Sequence, residues 1–200
     1  DHGAYVSLDM GKTFMAFSKD LPAVSIHDLV IHPRDNDLIL GSHGRSIFIA
    51  DIENIQQLPS LTESVKIFKT DGATFSDRWG DVGYYWSGPY EPSTIFEVFS
   101  ETTGTGKVTI SKDDLVLKEW EVSLDAGINY INYDFSIEES NTEALKDALE
   151  LKEDIEAKEN DVFYLQPATY TVTVEIGSHK DTSNLEIKSP KERPKRKGSK

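Results

Sequence analysis

The stretch Tyr5-Val-Ser-Leu-Asp-Met-Gly-Lys-Thr-Phe14 decides how the rest of the chain is interpreted. Apolar and polar residues alternate across it, and turn-forming residues interrupt the alternation in the middle. The pattern predicts a strand over residues 4–8, a tight turn over residues 9–11 and a second strand that starts at Thr13. We therefore expect a β-hairpin at this position.

Three residues of this hairpin have physical reasons for their positions. Gly11 can adopt the positive φ that a tight turn requires, because it has no Cβ. The Asp9 carboxylate can accept hydrogen bonds from the amides of the turn. Phe14 is expected to return to the core and to anchor the second strand there.

The spacing Ser7-x-Asp9-x-Gly11-x-Thr13-Phe14 resembles the Asp-box, also called the bacterial neuraminidase (BNR) repeat. In sialidase-like and sortilin-like β-propellers, this box closes hairpins on the rims of the blades, away from the axial site. The resemblance therefore implies a structural role for Ser7, Asp9, Gly11 and Thr13, and we assign them no catalytic role.

The composition is that of a globular chain with some very polar stretches. Of its 200 residues, 38% are hydrophobic and 28% are charged. A chain of this length and composition can form one or two domains with a buried core. No apolar run approaches the roughly 20 residues of a membrane-spanning helix. The absence of cysteine excludes disulfides and thiolate metal sites. The net charge of −14 disfavours nucleic acid as a partner, because phosphates would be repelled.

The first 58 residues contain a weak internal repeat. Residues 3–9 align with residues 44–51 when one residue is inserted, at an offset of about 41 residues, which is the length of a four-stranded propeller blade. Strands are predicted over residues 24–32, 38–40 and 46–50. The first of these strands is expected to be mostly buried. In the second copy of the repeat, the box has lost its glycine, as terminal repeats often do.

The run from Leu21 to Ile49 resembles the last blade of bacterial Asp-box proteins. These are large exported proteins that are often described as glycosyl hydrolases or as sortilin-like. The resemblance implies that residues 1–58 form the last one and a half blades of a propeller in the C-terminal part of a longer protein. It also implies an extracellular, cell-surface or periplasmic location. The remaining blades, or a partner protein, would then cover the open faces of these blades.

Residues 59–92 are predicted to form a connector that is rich in aromatic residues, glycine and proline. Trp79, Tyr85 and Trp86 are candidate ligand-binding residues in it, because sugar rings pack on flat aromatic faces. The alternative, which we favour, is that these rings bury apolar area at a domain junction.

Residues 93–190 show the period-2 alternation of a β-sandwich of the immunoglobulin or fibronectin type III class. Strands are predicted over residues 94–99, 107–111, 115–122, 128–137, 170–176 and 184–188, with a turn at 103–106. The phrases Asp125–Asn129 and Tyr164–Val172 resemble the sandwich that follows the propeller in the same family, although Ala168 stands where glycine is expected. The fold class is therefore all-β, with propeller blades first and a sandwich after them.

Residues 140–160 predict one acidic helix inserted into the sandwich. Ser140 and Glu143 have the spacing of a capping box. An apolar stripe at helical spacing follows, at Leu145, Ala148, Leu149 and Ile155. Neighbouring carboxylates such as Glu153 and Asp154 could bind calcium, but they lack EF-hand spacing, so we favour a solvated helix face.

His43 and Arg45 complete the candidate ligand-binding residues. They lie in a predicted turn, where loops carry function. Arg45 could pair with a carboxylate ligand through two hydrogen bonds, or it could hold a neighbouring blade, which we favour. His27 and His32 are five residues apart on one predicted strand, so their side chains should point to opposite faces and should not share a metal ion.

No catalytic site, cofactor or metal is predicted. A sialidase site needs several converging arginines and a tyrosine nucleophile, whereas Arg34, Arg45 and Arg78 are the only arginines before residue 191. No nucleophile elbow, phosphate-binding glycine loop or zinc motif is present. Residues 191–200 carry six Lys or Arg and one acid; we favour a disordered, solvated tail over a site for an anionic partner.

Three functions remain open at this level. The first is a non-catalytic structural or binding role, with protein or glycan as the partner. The second is an accessory part of a sialidase-like glycoside hydrolase whose active site lies on other blades. The third is a docking subunit of a cell-surface assembly. In all three, residues 93–190 are expected to fold alone, and residues 1–58 are not.

Overall fold

The computed structural model describes residues 3–17, 24–44, 46–68, 70, 72–84, 86 and 88–190. These residues form many β-strands and two short α-helices, which confirms the all-β prediction. Neither of those helices is long and apolar enough to cross a membrane. The chain divides into two compact units, Asp1–Thr62 and Glu63–Lys200.

The first unit contains a hairpin, a three-stranded antiparallel sheet and a short helix. Its elements are β1 (Tyr5–Val6), β2 (Met15–Ala16), β3 (Ile26–Ile31), β4 (Asp37–Ser42), β5 (Ile47–Asp51) and α1 (Glu53–Gln57). β1 pairs with β2, and the sheet has the order β3-β4-β5. A single 3-10 turn, Leu58–Ser60, follows α1. The Gly3 amide donates to the Val24 carbonyl at 3.1 Å, which ties the hairpin to the residues before β3.

One face of the three-stranded sheet carries exposed apolar side chains. Val30 pairs with Ile39, and Ile39 pairs with Ile49, so the three residues form one cross-strand row. Ile47 lies two residues before Ile49 on β5 and therefore on the same face. Ile49 is 66% exposed and Ile47 is 70% exposed. We call Val30, Ile39, Ile47 and Ile49 the apolar sheet face.

Two burial predictions for this unit are wrong. The strand predicted over residues 24–32 is not mostly buried, because Leu29 and Ile31 are exposed along with Val30. Phe14 does not anchor a core: its side chain is 65% exposed, and its ring lies back over the turn near Gly11. A small sheet and a hairpin provide too few layers to cover all of these side chains.

The second unit is a β-sandwich with one helix. Its elements are β6 (Val65–Ile67), β7 (Ala73–Thr74), β8 (Thr94–Ser100), β9 (Gly104–Lys112), β10 (Leu115–Leu124), β11 (Gly127–Tyr133), β12 (Ser136–Ile137), α2 (Thr142–Ala148), β13 (Phe163–Tyr164), β14 (Ala168–Ile176) and β15 (His179–Lys188). One sheet has the order β10-β9-β14-β15-β7 and the other has the order β11-β8-β6. β7 pairs in parallel with β15, and the other strand pairings of the two sheets are antiparallel. β12 and β13 pair with each other.

Both sheets contribute to one hydrophobic core. Alternate residues of the central strands point inward, because the side-chain period of a strand is two. Val108 and Ile110 of β9, Val172 and Val174 of β14, and Phe96 of β8 are fully buried members of this core. Burying one such side chain contributes about 1.5–3 kcal/mol, so this core is the main source of stability of the second unit.

Tyr170 fixes the chain at the start of β14. Its hydroxyl donates to the Gln166 carbonyl at 2.6 Å, and its ring is buried. This is the tyrosine-corner arrangement of Greek-key sandwiches. Ala168, which stands where the resemblance leads us to expect glycine, lies in β14 without a positive φ. The alanine therefore leaves the arrangement intact.

The stretch predicted as a turn at residues 103–106 instead opens β9. The reason is close backbone packing at Gly106. A Cβ at this position would lie 2.7 Å from Leu124 Cδ1 and 3.0 Å from the Glu175 carbonyl oxygen. The lack of a side chain at Gly106 therefore lets the neighbouring strands pack closely against β9, and Gly106 does not form a turn.

The strand predicted over residues 128–137 is interrupted after Tyr133. Phe135 has a φ of 59°, which lies in the left-handed region and outside the extended range of strands, and β12 begins immediately after it. This turn directs the Phe135 ring into the core, where it stacks on Trp79 with 5.2 Å between ring centroids. Tertiary packing of one aromatic ring thus overrides the extended pattern.

The helix predicted over residues 140–160 is much shorter than expected. It ends at Ala148, and Glu150 has a positive φ of 52°. The Leu151 amide donates back to the Lys146 carbonyl at 3.0 Å, which closes the end of the helix. Residues beyond this point have no regular structure before β13.

The predicted capping box does not form either. The N-cap residue is Asn141, it has no side-chain capping hydrogen bond, and a 3-10 turn at Glu139–Asn141 precedes α2. The Asn141 side-chain amide instead donates to the Leu117 carbonyl of β10 at 3.0 Å. Leu145 is completely buried in the core. Attachment to the sandwich, and not local capping, therefore places this helix.

Much of the predicted connector belongs to the sandwich. β6 extends the three-stranded sheet, and β7 extends the five-stranded sheet. Trp79 lies in the core, in contact with the rings of Phe75, Phe135 and Tyr164. Residues from Glu63 onward are therefore part of the second unit, and the unit starts well before residue 93.

Candidate functional site

The turn at residues 7–13, whose spacing resembles the Asp-box, forms a closed hydrogen-bonding network. The Asp9 Oδ1 accepts from the amides of Lys12 at 3.0 Å and Thr13 at 2.9 Å, and its Oδ2 accepts from the Thr13 hydroxyl at 2.7 Å. The Ser7 hydroxyl donates to Asp9 at 2.9 Å and accepts from the Gly11 amide at 2.6 Å. Gly11 has a φ of 85°. The oxygens of both side chains are occupied by the turn itself.

This network lowers the pKa of Asp9 to about 2, mainly because the Thr13 hydroxyl and amide donate to the carboxylate. Hydrogen bonds that favour the charged form stabilise it against protonation. Asp9 is thus held as a structural anion, and a general acid or base would need a pKa much closer to neutrality.

His43 lies in the turn between β4 and β5, where its ring stacks on that of His27 at 4.8 Å. The same turn is closed by Ser42, whose hydroxyl donates to the Ser46 carbonyl at 2.6 Å. The His43 amide donates to the Ser25 carbonyl at 3.1 Å. The turn is therefore well attached to β3, and His43 lies on its exposed side.

The approach of His27 to His43 has a cause that the sequence pattern does not reveal. Between Ile26 and Asp28, β3 has one residue more than β4, and this extra residue is His27. Such a bulge redirects its side chain and breaks the alternation of faces. His32 lies apart from this pair, with its Nδ1 3.1 Å from the Asp35 carboxylate.

The aromatic candidates of the segment 79–90 have different environments. Trp79 is 2% exposed in the core and offers no face to a ligand, so its assignment as a ligand-binding residue is wrong. Trp86 is 69% exposed and stacks on the ring of Tyr84, with 4.9 Å between centroids and an angle of 4°. Arg45 and Tyr85 lie outside the described residues, as does the predicted tail at 191–200.

Within the described part of the chain, no group of three or more His, Cys, Asp or Glu residues is placed to hold a metal ion. Asp154, one of the two neighbouring carboxylates considered as calcium ligands, is paired with a lysine. Asp154 accepts from the Lys146 ammonium at 2.5 Å, and this hydrogen bond lowers the pKa of Asp154. The pair thus forms an exposed ion pair on the acidic segment.

A cleft that the sequence analysis does not identify opens in the second unit, between the edge strands β10 and β11. It has a volume of about 410 Å³. Its lining residues are Ser93, Lys118, Trp120, Asn132, Tyr133 and Asp134. We call this feature the edge cleft. No local motif links these residues, because they come from three separate segments of the chain.

Two groups of the edge cleft have shifted pKa values. Partial burial raises the pKa of Asp134, but hydrogen bonds from Ser136 and the Lys118 ammonium outweigh it and leave this pKa below its ordinary value. Burial raises the pKa of Tyr133 well above its ordinary value. At neutral pH, Asp134 is therefore an anion and Tyr133 is a neutral hydrogen-bond donor.

Comparisons with known proteins add little to this geometry. No family model matches the chain, and no curated protein matches it either. Among solved structures, the chain is similar to a GH3 beta-glucosidase from Bifidobacterium adolescentis, at 15% identity and a TM-score of 0.29. The match covers 63% of this chain and 17% of that chain. A similarity at this level supports no statement about fold or activity.

Proposed function

We propose that this chain is the non-catalytic C-terminal portion of an exported Asp-box propeller protein, with a structural and binding role. The observation that carries the proposal is the apolar sheet face of the first unit. Exposed apolar side chains that lie side by side on a sheet favour contact with another protein surface. The occupant we propose is a neighbouring propeller blade, which would pack its own apolar sheet on this face.

The Asp-box hairpin supports this role independently. The Ser7 hydroxyl and both carboxylate oxygens of Asp9 form hydrogen bonds with backbone and side-chain groups of the same turn. Such a turn stabilises a hairpin and leaves no nucleophile or proton donor for a reaction. The extracellular or cell-surface location is part of the same proposal and rests on the Asp-box resemblance.

The test measures whether the apolar sheet face is a contact surface. Binding of a hydrophobic dye, and the concentration dependence of the molar mass by light scattering, are compared for the chain and for Ile49→Lys. We expect the substitution to reduce both dye binding and self-association. Ile95→Lys is the matched control, because Ile95 is a strand residue of the second unit with 51% exposure.

Two results would contradict the proposal. One is a chain that binds no dye and stays monomeric at high concentration. The other is an equal loss of dye binding in Ile49→Lys and Ile95→Lys, because the first unit would then have no special surface. Far-UV circular dichroism of both variants shows whether the fold is retained.

The alternatives make different demands on the rest of the assembly. An accessory part of a glycoside hydrolase requires the catalytic residues on other blades, namely converging arginines and a tyrosine nucleophile for a sialidase, or a pair of carboxylates for most other glycoside hydrolases. A docking subunit of a cell-surface assembly requires a partner that forms a stoichiometric complex with this chain. Ile49→Lys would weaken such a complex if the apolar sheet face were the site of docking.

A further inference from the structure

We propose that the edge cleft of the second unit binds a neutral saccharide, with the Trp120 indole as the stacking surface for a sugar ring. The cleft lies in a different unit from the apolar sheet face. This inference therefore goes beyond the docking role and is independent of it.

A β-bulge builds the cleft. Between Val116 and Lys118, β10 has one residue more than its partner β9, and this extra residue is Leu117. The carbonyl of Leu117 accepts hydrogen bonds from the Glu138 amide at 3.2 Å and from the Asn141 side chain at 3.0 Å, which hold the bulge in place. A bulge shifts the alternation of side chains. Leu117 is buried, and the next residues of β10 to face inward are Lys118 and Trp120.

The aromatic surface of the cleft is held in position from behind. The Trp120 ring stacks on the Tyr133 ring, with 5.4 Å between centroids and an angle of 16°. The Tyr133 hydroxyl donates to the Ser136 carbonyl at 2.8 Å, which fixes the supporting ring. Trp120 is only partly buried and lines the open cleft. A rigid, partly exposed indole can pack against the C–H face of a pyranose ring without reorganising.

The polar groups around this ring match the hydroxyl groups of a sugar. The Lys118 ammonium donates to Asp134 Oδ1 at 3.2 Å and to the Ser136 hydroxyl. It also lies 5.8 Å from the centroid of the Trp120 ring. Asp134 remains more than half exposed, and Asn132 and Ser93 are exposed as well. Carboxylate, amide and hydroxyl groups together provide the donors and acceptors that a polyol needs.

The charges of the cleft favour a neutral ligand. One cation and one anion line it, and they are paired with each other. An anionic sugar would meet Asp134 and a chain with a net charge of −14. The volume of about 410 Å³ is within the usual range of small-molecule sites, about 300–1,000 Å³.

The test is a titration of the isotope-labelled chain with cellobiose, maltose, lactose and N,N′-diacetylchitobiose, each up to about 10 mM, followed by NMR. Glucose and glucuronate, which differ in charge, form the matched pair for electrostatics. We expect at least one neutral sugar to shift the indole N–H signal of Trp120, and glucuronate to bind no better than glucose.

Variants locate the site. Trp120→Ala should weaken the binding about tenfold or more, which corresponds to about 1.4 kcal/mol. Asn132→Ala, at an exposed position, should weaken it about threefold to tenfold through the loss of a hydrogen bond. Trp86→Ala should leave it unchanged, because Trp86 lies on a different loop. If Trp120→Ala fails to fold, Asn132→Ala and Ser93→Ala carry the test.

The proposal is overturned if none of the sugars shifts signals of the cleft residues. It is also overturned if the binding is lost in Trp86→Ala and kept in Trp120→Ala, because the exposed Tyr84–Trp86 pair would then be the sugar surface. Tighter binding of glucuronate than of glucose would contradict the neutral ligand.

Discussion

The two units of this chain differ in how far they bury the aliphatic residues of their strands. In the second unit, β9 and β14 bury Val108, Ile110, Val172 and Val174 completely. In the first unit, β5 leaves Ile47 and Ile49 mostly exposed. The strands have the same alternation, so the difference comes from the number of layers. A sheet needs a second layer to cover its apolar face, and among the described residues the first unit does not provide one for the apolar sheet face.

The largest contrast should come from truncating one aliphatic side chain in each unit. Leu185→Ala removes a fully buried side chain of β15 and should lower the free energy of unfolding of the second unit by about 2–5 kcal/mol. Ile49→Ala should change the stability of the first unit by less than about 0.5 kcal/mol. Native-state hydrogen exchange measures both, with amides of β14 and β4 as reporters. An equal loss of unfolding free energy in the two variants would contradict this expectation, because it would show that Ile49 is packed in the isolated chain.

Packing at a glycine should give the next largest effect. Gly106→Ala places a Cβ against Leu124 and the Glu175 carbonyl, and overpacking of this kind costs about 1–3 kcal/mol. Gly88→Ala is the matched control, because a Cβ at Gly88 meets no atom within 4 Å. Urea denaturation monitored by circular dichroism measures the difference. A Gly106→Ala variant as stable as Gly88→Ala would show that there is room for a Cβ between Gly106 and its neighbours Leu124 and Glu175.

The tyrosine corner should contribute less. Tyr170→Phe removes the hydrogen bond to the Gln166 carbonyl and should lower the free energy of unfolding by about 0.5–1.5 kcal/mol. Tyr90→Phe is the control, because the Tyr90 ring is exposed. Thermal unfolding of both variants provides the measurement. If Tyr90→Phe costs as much as Tyr170→Phe, the corner has no special role in the sandwich.

The smallest effect is expected at Asp9 in the turn at residues 7–13, and it depends on pH. The pKa of Asp9 is lowered from 3.8 to about 2, so the hydrogen bonds of its carboxylate stabilise the hairpin fully above the unfolded value. This stabilisation is lost as the pH falls through about 2. NMR titration of the Asp9 carboxyl group, with amide exchange at Gly11 and Lys12, follows this loss.

Variants of Thr13 test whether its hydroxyl lowers the pKa of Asp9. Thr13→Val removes the hydroxyl that contributes most to the shift and should move the pKa of Asp9 upward, whereas Thr13→Ser keeps the hydroxyl and should not. Signals of the second unit should be unchanged in both variants. An unchanged pKa of Asp9 in Thr13→Val would show that the hydroxyl does not hold the carboxylate.

Local chemistry explains which parts of the fold could be predicted. The turn at residues 7–13 depends on residues within seven positions of each other, and its hydrogen bonds form as the spacing predicts. The alternation of β14 depends on the period of a strand and is found almost unchanged. By contrast, α2 ends at Ala148, because Glu150 takes a positive φ and the Leu151 amide closes the helix on the Lys146 carbonyl. No helix pattern contains that information.

The candidate site was less predictable than the fold. Of the described candidates, His43 lies in the expected turn, Trp86 is exposed, and Trp79 is buried in the core. Aromatic composition alone cannot distinguish a ring that binds a ligand from one that fills a core, because both uses bury flat apolar surface. The residues of the edge cleft carry no shared motif, and only the packing of one sheet of the sandwich against the other brings them together.

The sequence by itself determined the all-β class, the hydrogen-bonded turn at residues 7–13, and most strands of the sandwich, because each depends on the spacing of nearby residues. The tertiary structure alone decided the burial of Trp79 and the exposure of the apolar sheet face. It also decided the bulges at His27 and Leu117, which bring His27 to His43 and turn Lys118 and Trp120 into the edge cleft. A bulge depends on how two strands pair across a sheet, and one strand's pattern does not specify its partner's register.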